Sequence, residues 1–242
     1  MEPPVLLRAV AALAFLSMAI GVGWWARSLP RAAHKFCYTV AAAIGVMGVM
    51  FAFESVYVYT TGAETALTSI GYGITWMLIA LVISAVAGAG RGLTLALVGV
   101  AGGRFSLMLV ATYGIGSLGE ALVGIVLLLA LVGSLLVWLY LLLGPLTRIG
   151  TTQSRDRMLF FTKLKYFAVL AWLVHTASIG MFGAQVMVGI PADVTRIYLD
   201  VIILIGIAGV TLRSAEALEE TATETTLPWF EFEPGRAAEA AD

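Results

Sequence analysis

Charge is scarce in this chain. Only 12% of its 242 residues are Asp, Glu, Lys or Arg, against 60% apolar residues and a mean hydropathy of +0.97. A water-soluble domain with an ordinary surface cannot be assembled from that composition, so the chain reads as an integral membrane protein. Lysine is scarcer still, with Lys35, Lys163 and Lys165 the only three. A net charge of -1 denies the chain the basic surface that nucleic-acid binding requires. One cysteine, Cys37, excludes an intrachain disulfide; it lies in an apolar segment and reads as a small core residue. With two histidines and no nucleophile constellation, the sequence offers neither a metal site nor an enzyme.

Long apolar runs are what the chain has instead. Stretches of membrane-spanning length fall at roughly 5–26, 36–60, 70–90, 93–115, 118–144, 160–186 and 195–213. Short separators with Gly, Pro or polar clusters lie between them, among them RSLPRAAHK, GAGRG and GPLTRIGTTQSRDR. The reading is an all-α, integral membrane bundle of seven transmembrane helices over residues 1–215, with no room for a second domain. The first run follows MEPP, which lacks a basic cluster, so it reads as a helix rather than a secretory signal.

Lys and Arg collect in alternate connections: Arg27, Arg31 and Lys35, then Arg91, then Arg148, Arg155, Arg157, Lys163 and Lys165, and finally Arg213. Basic residues gather at cytoplasmic helix ends, which places the amino end outside and the carboxyl end in the cytoplasm of a multi-pass cell-membrane protein. Residues 216–242 hold eight of the fifteen acidic residues and read as a disordered cytoplasmic tail. Its aromatic segment LPWFEFEP could also serve as a docking peptide.

Few ionisable groups lie inside the runs, and each is a functional-site candidate because a charge in hydrocarbon needs a partner or a polar cavity. Asp200, in IYLDVIILIGIAGVTLRS, has no evident cation within reach. Glu54, in VMFAFESVYVY, is expected either to be held neutral or to accept a hydrogen bond from Ser55 or Tyr57. Arg104 falls within the fourth run, where it would snorkel or pair.

Three segments carry a resemblance. KFCYTVAAAI, GLTLALVGVAGG and LDVIILIGIAGVTLRS resemble segments of the haloarchaeal bacteriorhodopsin-type microbial rhodopsins, in the right order and at nearly the right distances. The resemblance implies a seven-helix opsin bundle, often trimeric, whose last helix carries an aspartate and, one turn later, the lysine that binds retinal as a Schiff base. Asp200 matches that aspartate, but Leu204 stands at the lysine position. The departure extends further. The third run, TSIGYGITWMLIALVISAVAG, has no charged residue where the family places an arginine and a counterion aspartate; Tyr72, Thr75 and Trp76 are the best it offers a polar pocket. Ala101 stands at the aspartate position of the fourth helix. His175 takes the place of an aromatic hydroxyl that hydrogen-bonds the helix 7 aspartate, and an imidazole can donate there or, protonated, supply positive charge. Trp172 is retained from the retinal wall, whereas Ile179 is not an aromatic. Gly124 occupies a place where some family pumps use a glycine to open a side window for a carotenoid.

The resemblance therefore implies an opsin-like protein without covalent retinal and without proton pumping. Its expected role is non-photochemical binding, sensing or regulation, with retinal, a carotenoid or a lipid held non-covalently if at all. Its expected partners are the bilayer, a second membrane protein or further copies of itself. A solute or ion transporter through the former retinal pocket is the alternative, although neither a continuous polar lining nor an interrupted helix is visible.

Overall fold

In the computed structural model the described residues are 3–61, 67–109, 120–183 and 189–230, with some side chains near 120 also outside the description. They form α1 (Pro3–Ala26), α2 (Arg31–Thr61), α3 (Leu67–Ala87), α4 (Arg91–Leu109), α5 (Glu120–Leu143), α6 (Pro145–Gly150), α7 (Arg155–Gly183), α8 (Ile190–Leu212) and α9 (Ala215–Glu224). Six helical stretches among the described residues are long and apolar enough to cross a membrane: Pro4–Ala26, Arg31–Thr61, Leu67–Ala87, Leu128–Gly150, Arg155–Met181 and Ile190–Leu212. α4 packs between α3 and α5 as a further long helix of 19 residues.

The helices form a closed ring in chain order, α1 against α2, onward through α3, α4, α5 and α7 to α8, which returns to α1. The inner faces hold the core, including Phe15, Phe36, Ile44, Met47, Ile79, Trp138 and Trp172. Large apolar side chains also point outward: Leu13, Ile20, Leu95, Leu129, Leu136 and Leu170 are all more than half exposed. Apolar groups on both faces are what a helix bathed in lipid requires.

Hydropathy locates the hydrocarbon, not the helix ends. The run expected at 36–60 is a helix from Arg31, and the one expected at 160–186 begins at Arg155, because basic residues extend both helices beyond the apolar stretch. The run at 118–144 continues past a break at Gly144–Pro145, where the proline has no N–H to give the preceding turn and a six-residue helix resumes. The α3–α4 turn is as tight as GAGRG suggests. Gly88 has φ +76°, and the amides of Gly88 and Ala89 return to the carbonyls of Ala85 and Ser84, a left-handed cap for which glycine is suited.

Residues 216–230 depart from the expectation of a disordered tail. α9 buries Ala217, Leu218, Thr221 and Ala222 on one face while its glutamates occupy the other. Glu224 pairs with the fully buried Arg157 at 2.7 Å, and Arg157 also donates to the carbonyls of Ala85 (3.0 Å) and Val86 (2.8 Å) at the end of α3. Ser154 donates to Glu220. Beyond α9, Phe230 stacks on Phe36 with centroids 4.4 Å apart, and the Trp229 indole donates to Thr39 at 3.3 Å. High local charge suggested disorder; the alternation of buried Ala, Leu and Thr with Glu outweighs it. Residues 231–242 lie outside the described residues.

Candidate functional site

Asp200 lies in the third turn of α8 and is only 4% exposed. Its two carboxylate oxygens take donors from two other helices. The Tyr72 hydroxyl of α3 donates to Oδ2, and His175 Nε2 of α7 lies 3.0 Å from Oδ1. A buried carboxylate satisfied on both oxygens is far less costly than a lone one. The Tyr72 ring is fixed in turn, edge-on to the His175 imidazole at 5.2 Å and stacked on Phe105 of α4 at 5.9 Å. One carboxylate thereby ties together three helices and, through the aromatic stack, a fourth.

The expectation that no cation reaches Asp200 is corrected by Arg196. It sits one helical turn earlier on the same helix, is 35% exposed, and its Nη2 lies 3.7 Å from Asp193. The i to i+4 spacing of Arg196 and Asp200 sets both on one face of the helix.

Glu54 is corrected too. It is 5% exposed and pairs with Arg8 of α1 at 3.5 Å, while Ser55 donates to the Val5 carbonyl and Tyr57 is largely exposed. The cation comes from a neighbouring helix, which spacing along one chain cannot reveal.

A second cluster lies beside the first. Trp76 is edge-on to His175, to Trp138 of α5 and to Trp172 of α7, with centroids 6.3, 6.3 and 6.4 Å away. Trp138 and Trp172 stack face to face at 4.1 Å and 3°. Trp138 was missed by sequence reading, although an indole in the Leu-rich run VGSLLVWLYLLL was a visible signal. Arg104 of α4 is buried, at 2% exposed. Its guanidinium lies 4.6 Å over the Trp172 ring and donates to Thr176 Oγ1 at 3.0 Å.

Leu204, one turn beyond Asp200, is 4% exposed, and Ala101 is fully buried. Thr75 is buried but gives its hydroxyl to the Ala43 carbonyl of α2 at 2.8 Å rather than to the Asp200 group. Gly124 lies within α5, but its surroundings fall outside the described residues. A cavity of about 570 Å³ lies not at Asp200 but under the tail, between Trp229, Pro228 and the α2 and α3 residues Lys35, Tyr38, Thr39, Ala42 and Leu78.

Neither a family model nor a curated protein matches this sequence. Solved structures do. The thermophilic rhodopsin from Rubrobacter xylanophilus is 19% identical with a TM-score of 0.73, over 90% of this chain and 98% of that one. Cyanorhodopsin from a Calothrix cyanobacterium is 15% identical with a TM-score of 0.75, over 91% and 99%. Exiguobacterium sibiricum rhodopsin is 13% identical with a TM-score of 0.67, over 90% and 96%. At these identities the likeness is one of fold: the bundle is similar to that of microbial rhodopsins across nearly its whole length.

Proposed function

We propose that this chain is an opsin-like membrane protein that has lost covalent retinal and proton pumping and works as a non-photochemical binding, sensory or regulatory protein. In this reading α4 is a seventh span, the amino end is outside and the tail is cytoplasmic. The observation that carries it is Leu204, buried one turn beyond Asp200 where the fold's aldehyde ligand would need a primary amine. Lys165 is buried as well, but its ammonium lies 3.1 Å from Thr147. It sits ten residues before His175 on α7, about 15 Å along the helix axis, which is more than a lysine side chain spans.

The aromatic geometry supports the same conclusion. A flat polyene held between two ring faces needs about 7 Å of separation, one contact distance on each side. Trp138 and Trp172 are already in contact, and Trp76 stands perpendicular to both. The residues present therefore do not fit a retinal sandwiched among them. What they can do is hold Asp200, His175 and Tyr72 as a polar lock among α3, α7 and α8. The absence of a side chain able to supply or accept a proton at Thr75 or Ala101 favours binding or scaffolding over transport.

The test is expression with all-trans retinal, followed by absorbance before and after borohydride reduction. No red-shifted band and no reduced adduct are expected. A covalent adduct would overturn the reading, whereas a band that is lost on solvent extraction would identify non-covalent occupancy.

A further inference from the structure

Among the described residues, Arg104 presents a charge without an ionic partner. Its guanidinium is buried at mid-bundle, about 20 Å along α4 from Arg91. The buried or half-buried acids among the described residues are engaged elsewhere: Glu54 with Arg8, Asp200 with His175 and Tyr72, Asp193 with Arg196, and Glu220 with Ser154. Arg104 has one neutral hydroxyl, Thr176, and one indole face. Its Nη1 makes no hydrogen bond to any described residue.

Lys165, another buried cation, can shed its charge by deprotonation; a guanidinium cannot. An uncompensated arginine in the membrane interior is costly enough that a counter-charge is expected beside it. Among the described residues the surroundings hold a further unpaired donor. Trp172, which carries the guanidinium on its face, has a buried indole N–H with no described partner. Positive charge, orphaned N–H groups and an aromatic wall together suit an anion and reject a cation.

We propose that Arg104, with Thr176 and Trp172, forms a binding site for a single negative charge, supplied by a small halide or by the carboxylate of an apolar acid. The site is separate from Asp200 and does not depend on whether the opsin reading holds.

The purified protein in neutral detergent is titrated with chloride against gluconate at constant ionic strength, and in parallel with laurate, while thermal unfolding and tryptophan fluorescence are followed. One of the two probes should raise the unfolding temperature saturably, by roughly 5 °C at a hundredfold excess over its dissociation constant. The same probe should change the emission with the same midpoint, because the anion binds against Trp172. Response to chloride identifies a free halide, and response to laurate alone identifies a carboxylate head. Arg104→Gln should abolish the response, and Thr176→Val, which keeps the charge, should weaken it several-fold. An unsaturable or absent response in the wild type, or an equal response in Arg104→Gln, would overturn the proposal. Should neither variant fold, the wild-type titration alone decides, since saturation at constant ionic strength is not produced by screening.

Discussion

At the scale of single residues, the Asp200 group makes the sharpest demand on the sequence, because one carboxylate is satisfied by donors from helices far apart in the chain. Tyr72→Phe removes the hydroxyl while keeping the ring stacked on Phe105. It should cost about 1.5–3 kcal/mol, the range for a hydrogen bond to a charged group. Thermal unfolding followed by circular dichroism in detergent measures it; an unchanged midpoint would mean that the hydroxyl contributes nothing. The link from His175 to Asp200 was legible through family resemblance. Tyr72 was legible only as a pocket residue, since nothing in an uncharged helix fixes which of its polar groups turns toward a distant carboxylate. Arg196 and Trp138 escaped for a simpler reason. A charge next to a loop and an indole among leucines each have an ordinary reading, and only packing across helices shows otherwise.

At the scale of elements, close helix contact at glycine gives a paired prediction. A Cβ added at Gly48 would lie 2.9 Å from the Leu16 backbone nitrogen, whereas one added at Gly21 meets nothing within 4 Å. Gly48→Ala should therefore destabilise the α1–α2 contact by about 1–3 kcal/mol, and Gly21→Ala should be neutral or slightly stabilising. Unfolding midpoints of the two variants compared in one detergent test the contrast; equal behaviour would contradict the packing. The tail gives another prediction. Phe230→Ala loses a fully buried ring from its stack on Phe36. A Phe→Ala truncation in a core costs about 3–5 kcal/mol, so tail release should become at least a hundredfold more frequent. Limited proteolysis should show faster cleavage between Arg213 and Phe230 with the membrane helices intact; an unchanged cleavage rate would mean that the segment does not rest on this ring. The spans were legible because apolar length is a property of each segment alone. The tail was not, since its docking depends on Arg157 and on carbonyls at the end of α3.

At the scale of the whole molecule, topology in the membrane follows from the distribution of basic residues rather than from any contact. Protease added to inside-out membrane vesicles should trim the carboxyl end of the chain, and protease added to right-side-out vesicles should not; the reverse result would invert the proposed orientation. The helical membrane bundle itself was readable as apolar runs with short connections, but the contacts that close the helices into a ring were not, because lipid-facing and core-facing positions are both apolar in this sequence.

The strap formed by residues 215–230 has a bearing on assembly. Arg157, Phe36 and Thr39 belong to helices synthesised before it, and the Thr39–Trp229 contact spans 190 positions of the chain. Their partners can arrive only once every earlier helix is threaded and in place. A misordered bundle would offer the strap nowhere to seat and leave its aromatic side chains displayed, so quality-control proteases could tell finished molecules from faulty ones by whether this seam is shut.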